Sequence, residues 1–292
     1  MPGLNRLAGV LLVNKPVGYS SRYVTNAVMK AFDTRKVGHA GTLDKMASGM
    51  LPICLGQATK YVSFLSDSDK SYTLKALFGY SSSTGDMEGD CKQQKDMYFT
   101  YNDIETAIKK FQGQIQQIPP MYSALKHNGQ PLYKIARSGQ QVVRKPRTVT
   151  ISKIVINDFS WPWVSMQVIC SKGTYIRTLV EDIALELNTY AYILELRRDW
   201  VAGFEKFNMH DISLVRTGSK DLLLPVKAAL VNMSELILND MQAEKLIFGQ
   251  QVVLENCPDG RYKITNNGEF IGVGVVSANS LKAQRLMASR LN

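Results

Sequence analysis

Apolar residues in this chain come in short bursts whose spacing changes from segment to segment. Gly9 to Lys15 (GVLLVNK) has the pattern of a buried strand and is stopped by Pro16 and Gly18. Ser20-Ser21 can cap the segment that follows, where Val24, Val28 and Phe32 make one helical stripe. Residues 57–65 read as a short helix, and Tyr72 to Phe78 (YTLKALF) alternates as a strand does. Asn102 and Glu105 form a capping box ahead of Ile104, Ala107, Ile108 and Phe111, which predicts a helix. Val149 to Ile156 and Trp163 to Cys170 are strand runs with a turn at Trp161-Pro162, so they predict a hairpin. Thr174 then caps a helix whose inward residues are Ile176, Leu179, Val180, Ile183 and Leu187.

Strands beside strands, with helices at irregular spacing, point to an α+β fold and not to a regular βαβ series. No internal repeat, GxGxxG or Walker loop occurs, so neither a dinucleotide nor an NTP site is indicated. From about residue 232 the texture changes. A helix over 234–246 precedes short strands around 249–254, 262–265 and 270–276, broken by Pro258-Asp259-Gly260 and Asn266-Asn267-Gly268. That is a small β-rich unit, and 292 residues suit one main domain with such an appendage.

Hydrophobic residues make up 45% of the chain, enough for a sizeable core. No apolar run reaches the roughly 18–20 residues of a membrane span. The apolar stretch Leu7 to Val13 runs straight into strand-like sequence, unlike a secretory signal. The four cysteines, at 54, 91, 170 and 257, form no CxxC pair, and with three isolated histidines they offer no zinc spacing. A reduced, cytoplasmic, metal-free protein is expected. The net charge of +10 is more telling because of its location. Between Thr106 and Asn157 there is no acid, while Lys109, Lys110, Lys126, Lys134, Arg137, Arg144, Lys145, Arg147 and Lys153 are all cationic. A field of one sign attracts polyanions and gains salt-dependent affinity from each phosphate it neutralises, which makes nucleic acid the expected partner.

The stretch "VGHAGTLDKMASGML" (37–51) sets Asp44 in a glycine-rich loop, five residues after His39. Glycosidic chemistry passes through an oxocarbenium-like state that an ionised carboxylate can stabilise or trap. A cation nearby would keep that carboxylate charged, and Arg177 in "KGTYIRTLVEDI" is available for the task. Read singly, each residue has a plainer role. Asp44 is a turn residue, His39 a satisfied loop histidine and Tyr72 a packing residue, while Arg177 forms a surface pair with Glu181, worth a few tenths of a kcal/mol. From spacing alone the plainer role of Arg177 is favoured.

Taken together, five blocks change that reading: "LLVNKPVGYSS" (11–21), "GHAGTLDKMASGMLPICLGQATK" (38–60), "SDKSYTLKALFG" (68–79), "IPPMYSALKHNGQPLYKIARSG" (118–139) and "CSKGTYIRTLVEDI" (170–183). In this order they resemble the TruB family, the tRNA pseudouridine-55 synthases. The resemblance implies a pseudouridine synthase fold, with a mixed, largely antiparallel sheet flanked by helices over 1–231. It also implies a small PUA-type RNA-binding domain over 232–292, where "FIGVGVV" and "LKAQRLM" match weakly. Asp44 falls on the family's catalytic aspartate, Tyr72 on the tyrosine against the target uracil that assists proton loss at C5, and Arg177 on the arginine pairing with the catalytic carboxylate. His39 falls where a histidine helps hold the flipped nucleotide, and Lys15 lies in the block beside the pocket. The basic stretch 121–147, with Lys126, Lys134, Arg137, Arg144, Lys145 and Arg147, corresponds to an insertion that clamps RNA over an uncharged, glycine-rich pocket. The chain departs from the family at Ala40 and at Lys45, where threonine and proline are usual, and Lys45 loosens the backbone beside Asp44. The family needs no cofactor or metal, acts on the T-arm of tRNA as a monomer without an obligate protein partner, and is not membrane-bound. A rival of another class is a non-catalytic tRNA-binding or folding protein using the same basic window.

Overall fold

The computed structural model describes residues 7–94 and 97–287; the outer ends of the two expected domains, 1–6 and 288–292, lie outside the described residues. A nine-stranded mixed sheet organises the larger part. Numbered in chain order, its strands are β1 (Gly9–Lys15), β2 (Val37–His39), β3 (Ala47–Leu55), β4 (Lys70–Phe78), β5 (Gly113–Gln117), β6 (Arg147–Ser160), β7 (Trp163–Cys170), β8 (Ala191–Val201) and β9 (His210–Asp211). They lie in the order β9-β1-β3-β8-β4-β7-β6-β5, with β2 also paired to β3. The pairs β1–β9 and β3–β8 are parallel, and the others are antiparallel. This is the α+β, largely antiparallel arrangement expected from the sequence.

Both faces of the sheet are covered at β1 and β3, which is why these two strands are continuous apolar runs, whereas β4 and β7 alternate. In β1, Leu11 and Val13 join one core while Val10 and Leu12 join the other. The first core receives helices Ser21–Ala31, Tyr101–Lys109 and Ile176–Glu186 through Val24, Val28, Ile104, Ile108, Leu179 and Ile183. The second packs Tyr61, Leu65, Phe204 and Leu230 against Met50 and Cys54. In β3 (ASGMLPICL) every residue except Ser48 is buried, so no alternation marks it as a strand. Pro52 is tolerated there for a local reason. Its carbonyl accepts from Ala40 N at 2.9 Å, so its nitrogen faces that same edge and the ladder to β1 loses no donor. At Gly49 the parallel β3–β8 contact is so close that a Cβ would lie 2.2 Å from Arg198 O, and φ is +96°. Only glycine fits.

Several local expectations are corrected. Residues 57–65 form a 3₁₀ turn, Gly56–Tyr61, followed by a short α-helix, Val62–Ser66. The capping box before Tyr101–Lys109 is Thr100 with Asp103, because Thr100 holds the extended backbone a cap needs (φ −85°, ψ 167°). Asn102 is already inside the helix, and Glu105 pairs with Lys109 at 2.8 Å instead. Thr174 does not cap its helix: the N-cap is Tyr175, and the Thr174 hydroxyl donates to Ser171 O at 2.9 Å.

The C-terminal unit is a five-stranded sheet in the order Glu235–Ile237, Gly260–Asn266, Glu269–Ser277, Ser280–Leu286, Val252–Val253. Its helix is Asp240–Ile247, capped by Asn239, so the helix expected over 234–246 opens as a strand. Leu238, Leu246, Ile264, Val276 and Leu281 form its core. It is joined to the main body by the Tyr61 and Phe270 rings (5.4 Å) and by Tyr61 Oη donating to Arg285 O at 3.2 Å. Among the described residues no helix is long and apolar enough to cross a membrane.

Candidate active site

The loop between β2 and β3 carries Asp44 and is held from below by the "KPVGYSS" block. Ser21 Oγ donates to Leu43 O at 3.0 Å and accepts from Leu43 N at 2.9 Å. Gly18 N donates to Lys45 O at 2.8 Å. The Lys15 ammonium donates to Tyr19 O (2.6 Å), Pro16 O (3.0 Å) and Lys45 O (3.2 Å). These bonds fasten the Lys45 carbonyl twice and counter the loosening expected where the family has proline. Lys15, expected beside the pocket, is fully buried and its three donors are spent on carbonyls of and around the loop. Burial pulls its ammonium down to about 8, although Asp44 and Glu88 favour the charged form.

Asp44 opens into a cleft of about 360 Å³ lined by Gly41, Lys70, Tyr72, Arg147, Arg177 and Arg198, among others. Arg177 Nη2 lies 3.0 Å from Asp44 Oδ2. The surface pair with Glu181 favoured by spacing is overturned: the Arg177 side chain is only 4% exposed. Its first-turn position on the helix Ile176–Glu186 turns it under the cleft. There Nη1 donates to Thr84 O at 2.9 Å, Nη2 also donates to Tyr122 O at 2.8 Å, and Nε lies 3.6 Å from Asp86 Oδ2. One guanidinium therefore serves two carboxylates. The walls around Asp44 push its carboxyl above the ordinary 3.8; Arg177 opposes this most strongly, and the like charge of Asp86 adds to it. The sequence reading did not include Asp86. It sits in the polar stretch "SSSTGDMEGD", which looks like a solvated loop, yet it is buried and accepts from Thr84 Oγ1 (2.6 Å) and Glu88 N (3.0 Å).

Tyr72 on β4 is buried with its phenol at the cleft. Burial raises the phenol above its usual 10, opposed by the charge and hydrogen bond of Arg198. Contrary to the uncharged pocket expected from the glycines, two buried cations wall the cleft. Arg198 donates from Nε to Met50 O (2.6 Å) and from Nη2 to Gly41 O (3.1 Å). Lys70 donates to Ser66 O at 3.1 Å and to Ser68 O, and burial together with Arg198 lowers its ammonium to about 8. Lys70 lies just ahead of the strand expected over Tyr72 to Phe78, and Arg198 lies in a strand that the sequence reading left unassigned. His39 is half-buried at the end of β2, and burial with the charges of Arg198 and Arg22 pushes its imidazole below 6.5.

The basic insertion forms one rim. Ser123, Ala124 and Leu125 line the cleft. Arg147 also lines it, donating to Gly173 O and lying over the Tyr175 ring at 4.7 Å. Lys126, Lys134, Arg137 and Lys145 are exposed, whereas Arg144 is half-buried and donates to Pro119 O at 3.0 Å. Among the described residues no group of His, Cys, Asp or Glu is placed to hold a metal.

The fold is that of a pseudouridine synthase. It superposes on a chain of an H/ACA ribonucleoprotein bound to a substrate RNA containing 2′-deoxyuridine with a TM-score of 0.74, over 97% of this chain and 86% of that one at 20% identity. It also superposes on a chain of an archaeal box H/ACA Nop10–Cbf5 complex, with a TM-score of 0.72 over 97% and 87% at 20% identity. The model of the TruB family pseudouridylate synthase N-terminal domain matches residues 29–176, and that of the pseudouridine synthase II TruB C-terminal domain matches 234–287. The tRNA pseudouridine synthase B of Pseudomonas fluorescens (strain Pf0-1) is 40% identical over 289 residues, covering 96% of this chain and 95% of the relative. That of Neisseria meningitidis serogroup B is 40% identical over 297 residues, covering 98% and 96%. The chain belongs to the TruB family of pseudouridylate synthases.

Proposed function

We propose that this chain isomerises uridine 55, in the T-loop of tRNA, to pseudouridine. Its relatives' names support tRNA as the substrate. The observation that carries the reading is the Asp44–Arg177 pair (3.0 Å) in a cleft shared with Tyr72 and rimmed by an acid-free segment. The target uridine leaves its loop at a cost of a few kcal/mol. Stacking on the Tyr72 ring returns roughly 1–3 kcal/mol, and phosphate contacts along 121–147 add the remainder. Asp44 then works on the ribose, either by attacking C1′ and displacing N1 or by taking the C2′ proton to give a glycal. Lys70 and Arg198 face the departing uracil and stabilise the negative charge it gathers. The base turns, C1′ bonds to C5, and the C5 proton leaves while N1 ends protonated, so atoms and charge balance without a co-reactant. Tyr72 stays a neutral phenol at neutral pH and assists that proton loss as a hydrogen-bonding relay, not as a standing phenolate.

The test is uridine-specific chemical probing of a total tRNA pool incubated with the purified protein. Wild type gives one new pseudouridine at the T-loop position. Asp44→Asn still binds tRNA and gives none. Near wild-type turnover by that variant, or modification elsewhere only, overturns the assignment.

A further inference from the structure

The loop holding Asp44 has two rims. One is the basic insertion; the other is the start of the helix Ser21–Ala31, tied to the loop through Ser21 and Leu43. On that second rim Tyr19 and Tyr23 stand side by side, with ring centroids 4.6 Å apart and planes tilted by 37°. They are 41% and 40% exposed. Packing into a core does not explain them, because the helix buries Ser21, Val24, Thr25 and Val28 on its other face. Arg216 Nη2 donates to Tyr23 Oη at 3.1 Å, and a groove lined by Tyr23, Asn26, Lys30 and Arg216 continues along the helix. Arg22, Lys30, Lys45 and Arg216 are exposed, and Asp33 is the only acid in the sequence before Asp44. The patch adjoins the cleft, since Tyr19 O and Lys45 O share the Lys15 ammonium and the charge of Arg22 bears on His39.

We propose that Tyr19 and Tyr23, with Arg22 and Arg216, form a second RNA-binding surface: a platform on which an unpaired nucleobase stacks outside the catalytic cleft while the arginines take the flanking phosphates. Exposed aromatic faces flanked by cations are the usual means of holding unpaired nucleotides. The outward stripe from Arg22 to Lys30 is about 12 Å long at 1.5 Å per residue, room for a short single-stranded segment. The proposal rests on the RNA substrate argued above and extends its footprint to the rim opposite the insertion.

The test uses the full-length protein and an unmodified tRNA transcript, with Kd measured across salt concentrations. Tyr19→Ala/Tyr23→Ala weakens binding by about 5- to 150-fold, the range for one lost base–aromatic stack, and leaves the salt dependence unchanged. Tyr19→Phe/Tyr23→Phe keeps the wild-type Kd, because the ring faces remain. Arg22→Ala/Arg216→Ala lowers the slope of log Kd against log salt by about one or more. Photocrosslinking to transcripts carrying 5-bromouridine yields adducts on the peptide containing Tyr19 and Tyr23. A Kd for the alanine pair within twofold of wild type, in a variant with unchanged melting, overturns the platform, as does the absence of a crosslink. Pseudouridine formation by the wild type is read separately, so either idea can fail without the other.

Discussion

Replacing Arg177 by methionine removes the guanidinium and keeps most of the stem. In the native protein that group holds Asp44 at 3.0 Å, Thr84 O at 2.9 Å, Tyr122 O at 2.8 Å and Asp86 at 3.6 Å. The Arg177 and Asp86 side chains are each 4% exposed, so the change strands a buried carboxylate, at a cost of about 3–5 kcal/mol. Asp44 keeps 40% of its side chain exposed, so its lost pairing adds little to the fold. At roughly 2–4 °C per kcal/mol, Tm falls by roughly 6–20 °C. The effect on chemistry is separate. Without the contact that aims it, Asp44 shifts, and a misplacement on the order of 1 Å costs about 100-fold in turnover. The pH profile carries a sign. In the proposed mechanism ionised Asp44 is the working form; its carboxyl already lies above 3.8, and Arg177 is the strongest influence holding it down. Removing the cation raises it further, so the acid limb of kcat/KM moves to higher pH. The assay is single-turnover release of tritium from C5-labelled uridine in tRNA, followed from acid to neutral pH below the variant's Tm. A variant that keeps most of its turnover refutes the reasoning. So does one that loses turnover with the acid limb unmoved.

Asp86→Asn takes away a like charge, so its acid limb moves to lower pH than that of wild type, opposite to Arg177→Met, in the same tritium assay. Lys70 is protonated in the folded cleft only below about 8, against 10.5 for a free lysine. Its buried charge therefore costs stability at neutral pH, and that cost is relieved as pH rises from about 8 toward 10.5. Lys70→Met accordingly raises Tm at neutral pH while lowering kcat and removing a basic limb near 8; an unchanged kcat counts against its role toward the uracil. Gly49→Ala forces a Cβ to 2.2 Å from Arg198 O at a φ of +96°. A loss of about 2 kcal/mol or more follows, seen as a lower midpoint in urea, and an unchanged midpoint would mean the β3–β8 contact is slack.

What the sequence disclosed and what it hid follow one physical division. Elements with one buried face show their period, so Ser21–Ala31, Tyr101–Lys109, β4 and the β6–β7 hairpin are readable. A strand covered on both faces has no period, and β3 passed unmarked for that reason; β8 passed unmarked although Leu196 and Arg198 are buried between exposed Glu195 and Arg197, because an arginine takes an inward position. Capping residues were misplaced by one or two positions: near Thr100, Thr100 with Asp103 and Asn102 with Glu105 satisfy the same pattern and only the backbone angles choose between them, whereas the N-cap Tyr175 makes no side-chain cap bond at all and so leaves no cap signature. Charge gave the basic rim but could not reveal which cations are buried. Lys15, Lys70 and Arg198 each lie in a strand and look like ordinary members of it. Asp86 was hidden for the converse reason, as a buried acid within a polar loop.

The placing of Asp86 bears on why the cleft can work at all. A carboxylate paired alone with a buried arginine would be held firmly as an anion and would be correspondingly poor at accepting a proton or bonding to carbon. In this protein the Arg177 guanidinium is divided between Asp44 and Asp86 and is further spent on two carbonyls. The geometry of Asp44 is thus fixed by a cation whose charge is already partly used, which keeps the oxygen aimed yet basic. Lys70, Arg198 and Arg147 also donate to backbone carbonyls, but among the described residues none is ion-paired with a carboxylate, so in the proposed mechanism their charge is left un-neutralised for the electron-rich base and the phosphates. On the proposed function, this division of labour among the cations, with one orienting the acid and the others left for the substrate, lets a single carboxylate act in a cleft that must also attract a polyanion.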